Sequence, residues 1–326
     1  MDIVKAFKVA TALVTRIPEP VGRGIFNAIG AVVGMGNSAG VRQLRKNLNR
    51  IVPLTGFAER RRSARAMIHY MRYYYEAFRL PALTEEQIFA RVSTENIERI
   101  TSILESGSSC SAAIMHSGNW DLAGAWATKE LAPIHTIAEK LKPDELAELF
   151  LTFRQSLGMT IHHAVKGGGA IRKITQSMQE EVIFAPLLCD RDLSASGVEV
   201  TLCGHALRVA PGSAMLAQNT GTPMIPLTIV AENFKDDRER VRRAGSPWGV
   251  KLLVGEPIYP TAAPHADRET RRADITAMNQ QWMDQISLLM PEYHEHWHML
   301  QKVFVEDLDA QRLARALAAQ DKDGEA

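Results

Sequence analysis

The chain has 326 residues, of which 46% are hydrophobic and 23% are charged. This balance is typical of a globular protein and excludes a disordered or fibrous chain. Three widely spaced cysteines, Cys110, Cys189 and Cys203, form neither a disulfide framework nor a paired metal motif, so a reducing compartment is expected. No secretory signal is recognisable, and no stretch reaches the roughly 18 apolar residues that would span a bilayer.

The formal net charge of +1 conceals a basic N-terminal part. Residues 1–80 contain 14 Lys and Arg against 4 Asp and Glu, whereas residues 81–326 contain 24 against 33. The basic residues share their region with the amphipathic stretches IVKAFKVATALV and GIFNAIGAVVGM, and no nucleic-acid-binding motif accompanies them. We therefore expect an anionic membrane surface, and no nucleic acid, as the partner of this part; a solvated helix face is the simpler alternative.

The first third of the chain is predicted to be helical. Apolar residues recur there with a helical period, and prolines, glycines and N-cap residues separate the segments. The expected helices cover 2–17, 22–35, 41–52, 58–80, 84–92 and 94–107. No strand is expected before residue 108.

From residue 108 onwards, short apolar runs alternate with helical segments. A buried strand that leads into a loop is expected at 109–118. Further strands are expected at 134–139, 160–165, 181–189, 223–233 and 248–258, with a strand pair or an extended loop at 198–210. Helices are expected at 119–132, 143–159, 167–179, 212–221 and 268–289, with a tail helix from Pro291 to about 318. This alternation predicts an α/β fold with a central, mostly parallel sheet flanked by helices. We expect a single domain over 1–326, with a helical part (1–107), an α/β core (108–306) and a C-terminal tail (307–326).

The segment MHSGNWD, residues 115–121, places His116 directly after the first buried strand of this core. Functional groups cluster at the carboxyl ends of strands in open α/β sheets. Gly118 lets the chain turn, and Asp121 in the first turn of the next helix is close enough to accept a hydrogen bond from one ring nitrogen, which would leave the other nitrogen as a base. The alternative is that Asp121 only caps the helix and His116 is an ordinary loop residue.

Other segments allow more than one interpretation. VKGGGA, residues 165–170, lacks the dinucleotide fingerprint and indicates a tight turn with amides that could bind an anion. HEHWH, residues 294–298, matches the HExxH zinc pattern without an obvious third ligand, so a packing helix with surface histidines is the alternative. Asp190, Arg191 and Asp192 follow a strand and either place a substrate or form a charged turn. No GxSxG nucleophile elbow occurs, which removes the main support for an α/β-hydrolase.

Together these segments resemble the bacterial lipid A biosynthesis (lauroyl/myristoyl) acyltransferase family, within the wider glycerolipid acyltransferase superfamily. The matching blocks occur in order: HSGNWDLAGAW, FRQSLGM, GGGAIRKI with LLCDRDLSASGVEVTLCG, PGSAMLAQNTGTPMIPL, and PEYHEHWHMLQKVF. In this family the closing Trp and His residues recur without a metal, so the resemblance implies no metal site. DRDLSASGVEV, WHMLQKVF and the basic N-terminus are most similar to the actinobacterial branch that acylates phosphatidylinositol mannosides.

The resemblance implies an O-acyltransferase that needs no cofactor. In this branch a long acyl chain, typically palmitoyl, moves from acyl-CoA to the 6-hydroxyl of a mannose on the glycolipid acceptor, through a ternary complex and without an acyl-enzyme. A peripheral position on the cytoplasmic face of the inner membrane is implied as well. Transfer to another acceptor, such as a lipid A precursor or a lysophospholipid, and lipid hydrolysis are the alternatives.

The resemblance also assigns roles to individual residues. His116 would be the general base on the acceptor hydroxyl, and Asp121 would orient its imidazole. Asp190 would help to hold the acceptor or the histidine. The candidates for substrate binding are Arg154, Glu139, Arg191 and Glu199.

Overall fold

The computed structural model describes residues 14–138, 144–163, 169–192 and 197–309. The helices are α1 (Glu19–Met35), α2 (Ala39–Ile51), α3 (Gly56–Arg79), α4 (Glu85–Arg91), α5 (Glu98–Glu105), α6 (Trp120–Glu130), α7 (Asp144–Ser156), α8 (Gly169–Glu180), α9 (Gly212–Thr220), α10 (Arg238–Ala244) and α11 (Arg268–Tyr293). The strands are β1 (Val92–Glu95), β2 (Cys110–Ile114), β3 (His135–Ala138), β4 (Thr160–His163), β5 (Phe184–Leu188), β6 (Val198–Leu202), β7 (His205–Val209), β8 (Met224–Asn233) and β9 (Trp248–Val254). Short 3₁₀ helices cover Leu80–Ala82, His294–His296 and Val305–Asp307.

The central sheet has five strands in the order β1–β9–β8–β2–β5. β2 runs parallel to both β5 and β8, β1 runs parallel to β9, and only the β8–β9 pairing is antiparallel. The predicted mixed α/β fold with a mostly parallel sheet flanked by helices is therefore confirmed. β6 and β7 form the strand pair that was one of the two interpretations of 198–210. β3 and β4 form a separate parallel pair rather than joining the central sheet as strands.

Apolar side chains cover both faces of the sheet, as expected for parallel strands between layers of helices. One face packs with α8, α9 and α11 and contains the fully buried Trp282 and Trp297. The other packs with α5 and α6 and contains Leu122 and Trp126. Every residue of β2, CSAAI, is buried, which explains why its sequence is continuously apolar or small.

Helix α1 packs on α3 through its glycines. A Cβ atom at Gly30 would lie 2.6 Å from the carbonyl oxygen of Met67, and one at Gly34 would lie 2.5 Å from the Cα atom of Ala64. The two backbones therefore approach too closely for any larger side chain. The branched apolar side chains of α1 point away from α3, and between 39% and 73% of each is exposed: Val21, Ile25, Ile29, Val32 and Val33.

Much of the N-terminal positive charge lies inside the protein. Arg62 is fully buried and donates to backbone carbonyls at the end of α2. Arg45 donates to the carbonyl of Gly34 at 2.8 Å, and Arg23 pairs with Glu76 at 2.9 Å. The basic surface is thus smaller than the charge count indicates.

The expectation of no strand before residue 108 is wrong. β1 is an edge strand of the central sheet, and Val92 pairs with Val250 of β9. Such a contact between distant parts of the chain leaves no local pattern, and four residues are too few to show a period. Asn96, with φ of 59°, separates β1 from α5, so the helix predicted from 94 begins only at Glu98. The short helix α10 was not predicted.

The tail helix predicted from Pro291 to about 318 is wrong in its described part. Helix α11 continues through Pro291 to Tyr293 and gives way to a 3₁₀ turn at His294–His296. The chain is then extended at Trp297, where it pairs with Ser117, so a tertiary contact overrides the local pattern. Residues 1–13, which include most of the predicted N-terminal helix, lie outside the described part of the chain, as do residues 310–326.

No single described helix is both long and apolar enough to cross a bilayer. Helices α1 and α2 meet the length and composition test only as a pair, and the chain bends by 80° between them.

Candidate active site

His116 stands on the loop between β2 and α6, at the carboxyl end of the buried strand. Gly118 makes the turn with φ of 60°, and a Cβ atom there would lie 2.5 Å from the carbonyl oxygen of Ile229. Only glycine fits this position, as the sequence predicted. Asn119 then begins α6 by accepting a hydrogen bond from the Leu122 amide at 3.0 Å.

The carboxylate of Asp190 holds the imidazole of His116. Nδ1 of His116 lies 2.5 Å from Oδ1 of Asp190, and the His116 backbone amide donates to Oδ2 at 2.9 Å. Nε1 of Trp297 also donates to Oδ2, at 2.7 Å. Asp190 is fully buried; burial alone would raise the pKa of its carboxyl, but the charge of His116 and these hydrogen bonds bring that pKa below its usual value. The ionised Asp190 accepts a hydrogen bond from Nδ1–H, so in the neutral form of His116 the lone pair is on Nε2.

Asp121 has other partners. Its Oδ1 accepts from Nε of Arg154 at 2.7 Å, and its Oδ2 accepts from the hydroxyl of Tyr73 at 2.9 Å. Burial lowers the pKa of Arg154, but Asp121 raises it above its usual value overall. Burial and the same carboxylate raise the pKa of Tyr73 well above its usual range. The expected contact of Asp121 with His116 is therefore replaced by an ion pair with α7 and a hydrogen bond to α3. Spacing within one loop could not reveal partners so far along the chain.

The three described substrate-binding candidates have different partners. Arg154 is on α7 beside Asp121, and Arg191 hydrogen-bonds to the side chain of Gln301. Glu199 is exposed on β6, outside the sheet that carries His116, and within the described ranges it has no hydrogen bond or ion pair to the His116 cluster. Glu139 lies outside the described residues.

Residues 296–298, called the support segment below, contact the His116 loop, and the sequence did not reveal this role. The backbone amide of His298 donates to the His116 carbonyl at 2.7 Å, and its Nε2 donates to the Gly118 carbonyl at 3.1 Å. Trp297 forms an antiparallel bridge with Ser117. HEHWH was the available signal, but the interpretation as a helix with surface histidines is wrong because His294 and His298 are buried.

The histidines of the support segment are neutral. Burial lowers the pKa of His298 to about 3 and that of His296 to about 4. His296 stacks on His69 at 4.0 Å between ring centroids, and burial also places the pKa of His69 well below its usual value. Among the described residues, no group of three or more His, Cys, Asp or Glu could hold a metal ion.

The residues next to His116 in the loop and at the start of α6 include two donors that lack a partner in the described part of the chain. The Trp120 ring meets the His116 ring edge-on at 5.6 Å between centroids and stacks on Tyr73 at 4.1 Å. Nε1 of Trp120 and the hydroxyl of Ser117 are buried and have no hydrogen-bond partner within the described parts of the chain. Buried polar atoms normally have partners, so these two are donors to which the described residues offer no acceptor.

A histidine held by a buried carboxylate at the carboxyl end of parallel strands is an arrangement that can remove a proton from a hydroxyl. Residues 4–305 match the family described as bacterial lipid A biosynthesis acyltransferase. The chain therefore belongs to this family and is an acyltransferase.

Two relatives extend the comparison. The chain is similar to the phosphatidylinositol mannoside acyltransferase of Mycolicibacterium smegmatis (strain ATCC 700084 / mc(2)155), with 33% identity over 305 residues, which is 93% of this chain and 91% of the relative. It is also similar to the phosphatidylinositol mannoside acyltransferase of Mycobacterium tuberculosis (strain ATCC 25618 / H37Rv), with 29% identity over 280 residues, 85% of this chain and 81% of the relative.

Proposed function

We propose that this acyltransferase moves a long acyl chain, in the first instance palmitoyl, from acyl-CoA to the 6-hydroxyl of a mannose on a phosphatidylinositol mannoside. The observation that carries the chemistry is the His116–Asp190 pair, whose imidazole is 24% exposed whereas the carboxylate is fully buried. A solvent-accessible base with a buried, ionised partner suits proton removal from an acceptor hydroxyl. The choice of acceptor rests on the two relatives named above.

In the proposed reaction, Nε2 of His116 removes the hydroxyl proton as the hydroxyl oxygen attacks the thioester carbonyl carbon. Asp190 stabilises the imidazolium that results. The tetrahedral intermediate then expels the CoA thiolate, which takes its proton from Nε2, so the ester and free CoA are the products. Ser117 Oγ and Trp120 Nε1 are the donors we propose for the negative oxygen of the intermediate. This route needs neither an acyl-enzyme nor a cofactor.

Two of the substrate-binding candidates have revised roles in this proposal. Arg154, paired with Asp121, supports the site by fixing α7 against α6 and α3. Glu199 is not assigned a role because the hairpin places it on an exposed strand. Arg191 and Glu139 stay candidates for contact with the acceptor headgroup.

We further propose that α1 rests on the cytoplasmic face of the inner membrane. Ile25, Ile29 and Val32 form an exposed apolar stripe, whereas the buried face of the same helix consists largely of glycine. The exposed Phe57 and Arg60 begin α3, and Arg60 donates to the carbonyl of Met35 at the end of α1. An apolar stripe with a basic residue at its end suits the headgroup region of anionic lipids.

The decisive experiment offers radiolabelled palmitoyl-CoA with phosphatidylinositol mannosides, lipid A precursors or lysophospholipids, and measures labelled lipid and free CoA. We expect label on the mannoside alone and its loss in His116→Gln, while the exposed His265→Gln variant keeps activity. Label on another acceptor would reassign the substrate. Release of fatty acid without any acceptor would instead indicate a hydrolase.

Membrane attachment is tested by co-sedimentation with vesicles containing anionic phospholipid. Ile25→Ser combined with Ile29→Ser should weaken binding severalfold, because about 25 cal/mol per Å² of apolar burial is lost. Leu288→Ser, which removes an 82% exposed side chain from α11, is the control and should bind normally. Equal binding by all three proteins would refute the assignment of α1.

A further inference from the structure

The support segment makes three kinds of contact with the candidate active site. Its backbone pairs with the His116 loop at Ser117, and the His298 side chain donates to the carbonyl of Gly118. Its central residue, Trp297, reaches past the loop to the carboxylate of Asp190. The segment therefore touches both members of the proton-transfer pair, although it lies 180 residues beyond the loop.

The carboxylate of Asp190 accepts hydrogen bonds at both oxygens, from His116 and from Trp297. Oδ1 faces Nδ1 of His116, and Oδ2 accepts from the His116 backbone amide and from the Trp297 indole. Without the Trp297 indole, the two remaining hydrogen bonds to Asp190 both come from His116, which is the residue that the carboxylate orients. Trp297 is the only donor to Asp190 among the described residues that is independent of His116.

We infer that Trp297 is a positioning residue: its indole N–H fixes Asp190 so that Oδ1 stays on Nδ1 of His116 and Nε2 faces the substrate. The catalytic meaning of this inference rests on the proposed function, whereas the hydrogen bond itself does not. Hydrogen bonds to charged groups are stronger than those between neutral groups, and Asp190 is fully buried, so solvent does not reach its carboxylate while Trp297 is in place.

If Trp297 served only in packing, the loss of its N–H group would not affect the site. Trp297 is 1% exposed and meets Phe304 edge-on at 6.2 Å, so its loss also removes core contacts. Trp282 belongs to the same apolar cluster, is fully buried, and its indole nitrogen has no partner within the described residues. Trp282 is therefore a matched control, because it contributes packing without a hydrogen bond.

The experiment compares Trp297→Phe and Trp282→Phe in the full-length protein. One readout is kcat and KM for CoA release, and the other is the downfield ¹H resonance of the His116 Nδ1 proton, assigned by its loss in His116→Gln. We expect Trp297→Phe to lower kcat by about ten- to a hundredfold with KM little changed, and to move the resonance upfield. Trp282→Phe should keep both, at reduced thermal stability.

Wild-type kcat and an unmoved resonance in Trp297→Phe would overturn the inference, as would equal losses in both variants. If Trp297→Phe does not fold, 3-benzothienylalanine at position 297 removes only the N–H and decides by the same readouts. The resonance is measured without substrate. A protein that does not acylate phosphatidylinositol mannosides, but whose resonance moves upfield in Trp297→Phe, would therefore refute the proposed function and support this inference.

Discussion

Mild acid should destabilise this protein through its buried histidines. His296 and His298 have pKa values lowered by burial to about 4 and about 3, whereas an unfolded histidine titrates near 6.5. Between these values the unfolded chain binds protons that the folded protein does not. The free energy of unfolding therefore falls as the pH drops below about 6.5, and it stops falling only near the folded-state pKa values.

The magnitude follows from the difference in pKa. A pH of about 5 is about 1.5 units below the pKa of an unfolded histidine, whereas each folded histidine is still neutral at this pH. Each of the two therefore lowers the free energy of unfolding by about 2 kcal/mol. His296 and His298 together give about 4 kcal/mol, a large part of the 5–15 kcal/mol that stabilises a typical domain. The carboxyl groups of the unfolded chain are still mostly ionised at this pH and add little.

The assay is urea unfolding at about pH 7.5 and about pH 5. We expect His298→Gln to reduce the difference in free energy between the two conditions by about 2 kcal/mol, whatever its own effect on stability. His265→Gln, at an exposed position on the loop before α11, should leave the difference as in the wild type. An undiminished pH dependence in His298→Gln would refute the reasoning, because His298 would then be protonated or already exposed in the folded state.

Three further predictions concern two carboxylates with defined partners and a glycine with a close backbone neighbour. Asp190→Asn removes the acceptor of the Nδ1 proton and should lower kcat on the order of 10³- to 10⁴-fold with little change in the thermal midpoint; a fall of less than tenfold would contradict the assignment. Asp121→Asn removes the buried negative charge that Arg154 faces and should cost about 3 kcal/mol in urea unfolding, while the folded fraction keeps the downfield His116 resonance. Gly34→Ala should destabilise the protein because its Cβ atom meets the backbone of α3, whereas Gly24→Ala, with no atom within 4 Å, should be neutral or stabilise it by up to about 1 kcal/mol; the same sign for both would count against this α1–α3 contact.

The sequence predicts elements that have a clear period and end at glycine or proline. The helix expected at 212–221 is α9, Gly212–Thr220, and the strand expected at 223–233 is β8, Met224–Asn233. The position of His116 was also predictable, because a buried strand followed by a glycine turn places the next polar side chain at the edge of a parallel sheet. These features depend on residues that are close together in the chain.

The partners of the site residues could not be predicted in the same way. Asp121 is five residues from His116 and was the natural choice, yet Tyr73 and Arg154 hold it from 48 residues before and 33 residues after. The orientation of α1 was equally hidden: its period is helical with either face inward, and only the close approach of α3 places the glycines inside. Periodicity gives the kind of element, whereas long-range packing decides which side chain meets which.

The pairing of residues 116–118 with 296–298 has a consequence for how the protein is made. His116 and Asp190 leave the ribosome long before Trp297 and His298. A growing chain therefore contains the His116–Asp190 pair before the residues that contact Asp190 and the loop from the support segment. In such a chain the loop still contacts Asp190, but the hydrogen bonds from residues 296–298 are missing. A chain synthesised only as far as residue 296 therefore contains His116 and Asp190 but lacks the indole donor to Asp190 and the His298 donors to the loop.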